Sequence, residues 1–106
     1  MTVEPAVGLF LALVGYPLLE ETIFRLGMLG WLDQRDGAWH PQVNNVVTSL
    51  SFSVAHLVVW GVWHAVAVFV PSFILGLVWQ RWRSLLACVA LHGVFNLVGF
   101  AIDRAA

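Results

Sequence analysis

Two adjacent carboxylates and an arginine, Glu20-Glu21-Thr22-Ile23-Phe24-Arg25, sit inside an apolar run that begins near Val7 and lasts to Trp31. That run is long enough to cross a bilayer, and each charge at that depth costs ~2.5–3.5 kcal/mol on insertion scales. Three charges together therefore require partners, and those partners must come from other parts of the chain. The same three charges, and the length of the run, argue against a cleavable signal peptide.

Composition says what surrounds them. Hydrophobic residues make up 60% of the 106 residues and charged residues 10%, with a mean hydropathy of +0.86. A soluble domain is closer to ~25% charged. The expected fold is all-α: a polytopic bundle of about four transmembrane helices, forming a single domain over 1–106. The net charge of −1 and the lack of a basic patch leave no nucleic-acid partner. The lone Cys88 excludes an internal disulfide.

In chain order, Pro5 suits a first helical turn, and helix one is expected over about 6–31. Pro17 should kink it or free a carbonyl. Residues 32–42 are the most polar window and read as a loop, with Pro41 and Asn44/Asn45 as helix-start chemistry. Helix two follows over about 43–63. Helix three, over about 65–80, is expected to be short because of Pro71 and Gly76. Arg81-Trp82-Arg83 is a turn, and helix four covers about 84–102. Call side B the membrane face holding the 32–42 loop and the 81–83 turn, and side A the opposite face. Side B carries Arg35, Arg81 and Arg83 against Arg104 on side A, so the positive-inside rule places side B in the cytoplasm and both termini outside. Trp31, Trp39, Trp79 and Trp82 mark the B interface, and Trp60 and Trp63 the A interface.

Depth then brings the polar residues together. At the helical rise, Glu20 lies about 16 Å from side B, His56 about 20 Å, His92 about 12 Å and Asn96 about 18 Å. Helices one, two and four thus place their polar residues in one layer near mid-membrane. Glu21 and Arg25, Phe52 and His56, and His92 and Asn96 are each i,i+4 pairs on one helix face. Glu21 can neutralise Arg25, which leaves Glu20 free to meet His56. Ser49 and Ser53 continue the His56 face. His40 and His64 read as interfacial and Cys88 as a packed small residue. Arg81 and Arg83 read as topology determinants and headgroup contacts.

This pattern resembles the CPBP intramembrane proteases (CAAX proteases and bacteriocin-processing enzymes, also called the Abi family). Their motifs EExxxR, FxxxH and HxxxN stand here as Glu20-Glu21-Thr22-Ile23-Phe24-Arg25, Phe52-Ser53-Val54-Ala55-His56 and His92-Gly93-Val94-Phe95-Asn96. The resemblance covers about residues 15–100. It implies a glutamate-dependent endopeptidase. Glu20 and His56 would activate water, His92 and Asn96 would stabilise the oxyanion, and Glu21, Arg25 and Phe52 would support the site. It also implies a mid-membrane opening toward side B, a peptide or protein substrate at the bilayer, and a prokaryotic plasma (inner) membrane location. No cofactor is expected. The alternative is a zinc held by Glu20, His56 and His92. Members of the family often have about eight spans and this chain has four. That leaves open a minimal core, a truncated product, a homo-oligomer or an additional membrane subunit. Competing readings are a proton-coupled transporter subunit and a non-catalytic bacteriocin-immunity protein, since intramembrane Glu, His and Arg also build proton relays.

Overall fold

The computed structural model describes residues 4–105. Residues 1–3, part of the polar start, lie outside it, as does the side chain of Arg104. Four helices long and apolar enough to cross a membrane make up the described chain. They are α1 (Pro5–Gln34), α2 (Pro41–Trp60), α3 (Val62–Trp82) and α4 (Leu85–Ala105).

The helix ends follow local chemistry. Pro5 opens α1, and the Glu4 side chain caps it by accepting from the Val7 N–H at 3.1 Å. Pro41 opens α2, and His40 Nδ1 accepts from the Gln42 N–H at 3.1 Å. Ser84 Oγ caps α4 by accepting from the Ala87 N–H at 3.1 Å. Two positive-φ residues make the tight corners: Gly61 (φ 93) between α2 and α3, and Arg83 (φ 51) between α3 and α4. Gly61 ends α2 at Trp60, three residues before the expected boundary.

Helix α3 corrects a sequence expectation. It is 21 residues long and runs unbroken through Pro71. In lipid the backbone has no water to turn to, so a membrane helix absorbs a proline and continues. Asn44 and Asn45 are also not helix-start caps. Both are fully buried. Asn44 Nδ2 donates to Asp33 Oδ1 at 2.7 Å, and Asn45 Nδ2 donates to the Phe73 carbonyl at 3.0 Å.

Packing is concentrated in the half of the bundle near side B. Leu29, Leu75, Trp79 and Cys88 form its core, one or more from each of α1, α3 and α4. Asp33 fastens the same end, with Asn44 of α2 and Gln80 of α3 both donating to it. Gly76 lets α2 and α3 approach closely, because a Cβ there would collide with the Asn45 side chain. Toward side A the side chains turn outward, as at Val58, Trp60, Trp63, Val66 and Phe100. The mid-membrane polar layer lies where the packed half gives way to the splayed half.

Gly76→Ala should therefore lower stability by about 1–3 kcal/mol, since the new methyl displaces the Asn45 amide and its bond to α3. Thermal unfolding in detergent checks this: the midpoint should fall several degrees, whereas Gly99→Ala, at a position with open space around it, should leave it in place.

Candidate active site

Helix α1 is not uniform around the carboxylates. It is π-helical over Leu11–Gly15 and again over Thr22–Leu29, with α-helix over Tyr16–Glu21 between them. Such bulges are rare and cluster at functional sites. Glu20 and Glu21 stand at the last turn before the second bulge. Being consecutive, they leave the helix about 100° apart.

Glu21 faces the interior. Its Oε1 lies 3.3 Å from Arg25 Nε, and both side chains are 0% exposed. Arg25 continues to α3, where Nη2 donates to the Ser72 carbonyl at 2.6 Å and to Ser72 Oγ at 2.8 Å. Ser72 Oγ in turn donates to Ser49 Oγ of α2 at 3.2 Å. The pairing of Glu21 with Arg25 follows the i,i+4 expectation. Ser72 has no assigned role in the sequence reading, although it is the only hydroxyl or charged side chain of α3 between His64 and Gln80.

The other oxygen of Glu21 holds a histidine of α4. His92 Nδ1 lies 2.9 Å from Glu21 Oε2. That contact turns His92 Nε2 toward Glu20, 3.9 Å from Oε1. From α2, His56 Nε2 lies 3.6 Å from Glu20 Oε2. The Nδ1 of His56 is 2.8 Å from the Phe52 carbonyl, which can only accept, so Nδ1 carries the hydrogen of that bond. Each histidine therefore has one nitrogen fixed by a neighbour and presents the other to the same carboxylate. Glu20 is 24% exposed, in contrast to its buried neighbour Glu21.

Phe52 is the common packing surface. Its ring centroid lies 4.3 Å from that of His56, 6.0 Å from His92 and 5.1 Å from Phe24. The Arg25 guanidinium sits over it at 5.4 Å. His64, left without a role by the sequence, stacks with His56 at 5.7 Å and 17°. The Gly61 corner brings it back against α2.

Asn96 lies on the same face of α4 as His92, one turn nearer side A. Its Nδ2 donates to the Ala12 carbonyl of α1 at 2.7 Å. One of its two amide hydrogens is thus engaged by backbone.

A groove of about 200 Å³ opens beside Glu20 and His56, lined also by Phe24, Ala55, Val59 and Trp60. Trp60 is the last residue of α2, so the groove runs toward side A and not toward side B as expected. The reason is the asymmetric packing: Leu29, Leu75, Trp79 and Cys88 fill the path toward side B. Cys88 itself is buried there with Sγ 3.6 Å from the Leu75 carbonyl, as a packed small residue.

Glu20, His56 and His92 are the right donor types for a zinc ion. Among the described residues, however, no three His, Cys, Asp or Glu side chains are arranged as a metal-ligand set. Glu20 meets the two histidines through different oxygens.

A four-span helical bundle with a buried carboxylate–histidine centre at mid-membrane defines a class: multi-pass membrane proteins with a polar, partly water-accessible site inside the bilayer. The sequence places the chain within that class. Residues 2–98 match the Rce1-like family, described as type II CAAX prenyl endopeptidase Rce1-like, and the chain belongs to that family. It is an integral membrane protein of the CAAX-type intramembrane protease family, as its three motifs indicate. No match is found among curated proteins or solved structures.

Removing Arg25 would leave the Glu21 carboxylate buried without its countercharge. Arg25→Met is expected to destabilise the bundle by about 3–5 kcal/mol. Combining it with Glu21→Gln should recover much of the loss, as read from thermal midpoints in detergent.

Proposed function

We propose that this chain is an intramembrane endopeptidase core, one domain over 1–106, in which Glu20 and His56 activate a water molecule for attack on a peptide bond. The observation that carries this reading is the Glu20 carboxylate held between His56 Nε2 at 3.6 Å and His92 Nε2 at 3.9 Å, on the wall of the groove. A water molecule in that groove lies within reach of both a carboxylate and an imidazole. Amide hydrolysis needs such a base, together with donors aimed at the developing oxyanion.

The steps balance with these residues alone. The water oxygen adds to the scissile carbonyl carbon as Glu20, aided by His56, takes its proton. The carbonyl oxygen gains the negative charge and faces the second amide hydrogen of Asn96 and His92 Nε2, which donates to it when both ring nitrogens carry hydrogen. The intermediate collapses, the C–N bond breaks, and the proton passes from the Glu20–His56 pair to the departing amine. Glu21 and Arg25 touch no reacting atom. They hold His92 and the α1–α3 contact in register. Phe52 fixes the plane of His56.

The substrate we propose is a peptide segment lying at the bilayer, reached laterally between α1 and α2. Phe24, Ala55, Val59 and Trp60 give that groove apolar walls, which suit a lipid-modified or apolar chain. The family description names prenylated CAAX substrates, and a farnesylated CAAX peptide is the probe of choice. A bacteriocin leader or a C-terminal sorting tail would fit the same chemistry.

In liposomes, Glu20→Gln and His56→Ala should each lower cleavage of a farnesylated CAAX peptide by at least about 100-fold, with the amount of inserted protein unchanged. Cleavage at the wild-type rate by either variant would overturn the proposal. Treatment with 1,10-phenanthroline should leave the wild-type rate intact, and a loss reversed by added zinc would assign the site to a metal instead.

A further inference from the structure

We propose that Pro17 and Gly93 are positioning residues for hydrolysis: Pro17 frees the Ala12 carbonyl of α1, and that carbonyl fixes the amide of Asn96. This rests on the endopeptidase reading above and adds residues to it.

In the first π-helical stretch each N–H reaches five residues back, and the Tyr16 N–H donates to the Leu11 carbonyl. The next donor in that register is residue 17, a proline, which has no N–H. The Ala12 carbonyl is therefore left without a taker in its own helix. At membrane depth there is no water to replace the missing donor, so the partner must be protein. Asn96 supplies it, with Nδ2 at 2.7 Å.

A second contact comes from the same face of α4, one turn earlier. A Cβ at Gly93 would run into the Leu13 carbonyl, the neighbour of the freed one. The absence of a side chain at 93 thus lets α4 lie directly on the bulge. Asn96 and Gly93 between them read two successive carbonyls of α1, and this sets both the height and the rotation of α4. His92, adjacent to Gly93, is thereby delivered to Glu21 at 2.9 Å.

The consequence for chemistry lies in the amide plane. Asn96 Nδ2 carries two hydrogens. Once one is bound to the Ala12 carbonyl, the amide cannot rotate, and the direction of the other is set before substrate arrives. A donor fixed in advance stabilises a developing oxyanion without reorganising during the reaction. Without Pro17, its replacement's own N–H would claim the carbonyl, and the Asn96 amide would turn freely.

The experiment is Pro17→Ala, assayed on the farnesylated CAAX peptide in liposomes beside Glu20→Gln. The restored N–H should reduce kcat by roughly 10-fold or more. KM should stay within about twofold and the thermal midpoint should not fall, because the helix gains a hydrogen bond. In an Asn96→Ala background the same substitution should have no further effect on kcat, since both act through one contact. Wild-type kcat for Pro17→Ala while Glu20→Gln is inactive would overturn this inference and leave the endopeptidase reading standing. So would a fall in kcat that persists undiminished in the Asn96→Ala background. Full activity of Glu20→Gln would overturn the reading itself. If Pro17→Ala does not accumulate in the membrane, Gly93→Ala decides, because its methyl presses on the Leu13 carbonyl and shifts the same bulge. A selective loss of kcat supports the inference and an unchanged kcat overturns it.

Discussion

The Glu21–Arg25 ion pair, with both side chains fully buried, is the interaction on which the rest of this bundle depends. Each further hydrogen bond to such a pair offsets part of the cost of burying it. Arg25 extends to Ser72 of α3, and through its hydroxyl to Ser49 of α2. Glu21 extends to His92 of α4. One intrahelical pair on α1 is thereby tied to each of the other three helices. The interhelical angles near mid-membrane are set by hydrogen bonds, where lipid-facing packing alone would leave them free to slide. This matters in a bilayer, where apolar side chains gain little by leaving lipid for one another.

That network lies at a boundary. On its side-B flank the helices close over Leu29, Leu75, Trp79 and Cys88. On its side-A flank α1 and α2 leave the groove beside Glu20 open. Packing and access are thus separated along the membrane normal. The closed half provides the rigidity that holds Glu20 within reach of two histidines. The open half leaves Glu20 and His56 facing a groove. If the helices were packed equally throughout, the carboxylate would be sealed from water. If they were splayed throughout, nothing would hold the side chains in place.

Much of this was legible in the sequence, and the parts that were share a physical basis. Glu21 with Arg25 and Phe52 with His56 are relations within one helix, fixed by helical geometry before any tertiary contact forms. The convergence of Glu20, His56 and His92 followed from depth, because a spanning helix has little freedom along the membrane normal. What escaped depends on which helix faces which. Ser72 is a single hydroxyl in an apolar span, and only the rotation of α3 reveals that Arg25 needs it. The direction of the groove depends on how far the helices diverge, which residue types alone do not encode. The ends of α3 were misplaced because Pro71 carries the penalty it has in soluble helices, and membrane depth removes the alternative conformations that make that penalty decisive. The corner at Gly61, with φ 93, is what ends α2, and it also brings His64 against His56.

The glutamate doublet itself now has a physical explanation. Consecutive residues on a helix point about 100° apart, so only one of the two can line up with Arg25. Glu21, four residues before Arg25, lies on its face and takes the countercharge. By occupying the adjacent position, Glu20 escapes that countercharge and turns to the groove, where it meets His56 from one side and His92 from the other. Glu21 then supports it indirectly: its second oxygen grips His92 Nδ1 and so aims Nε2 at Glu20. The two carboxylates are chemically identical and one residue apart, yet one is 0% exposed and the other 24%. That difference separates the structural acid from the one that can reach water, and it is set by the direction in which each side chain leaves α1.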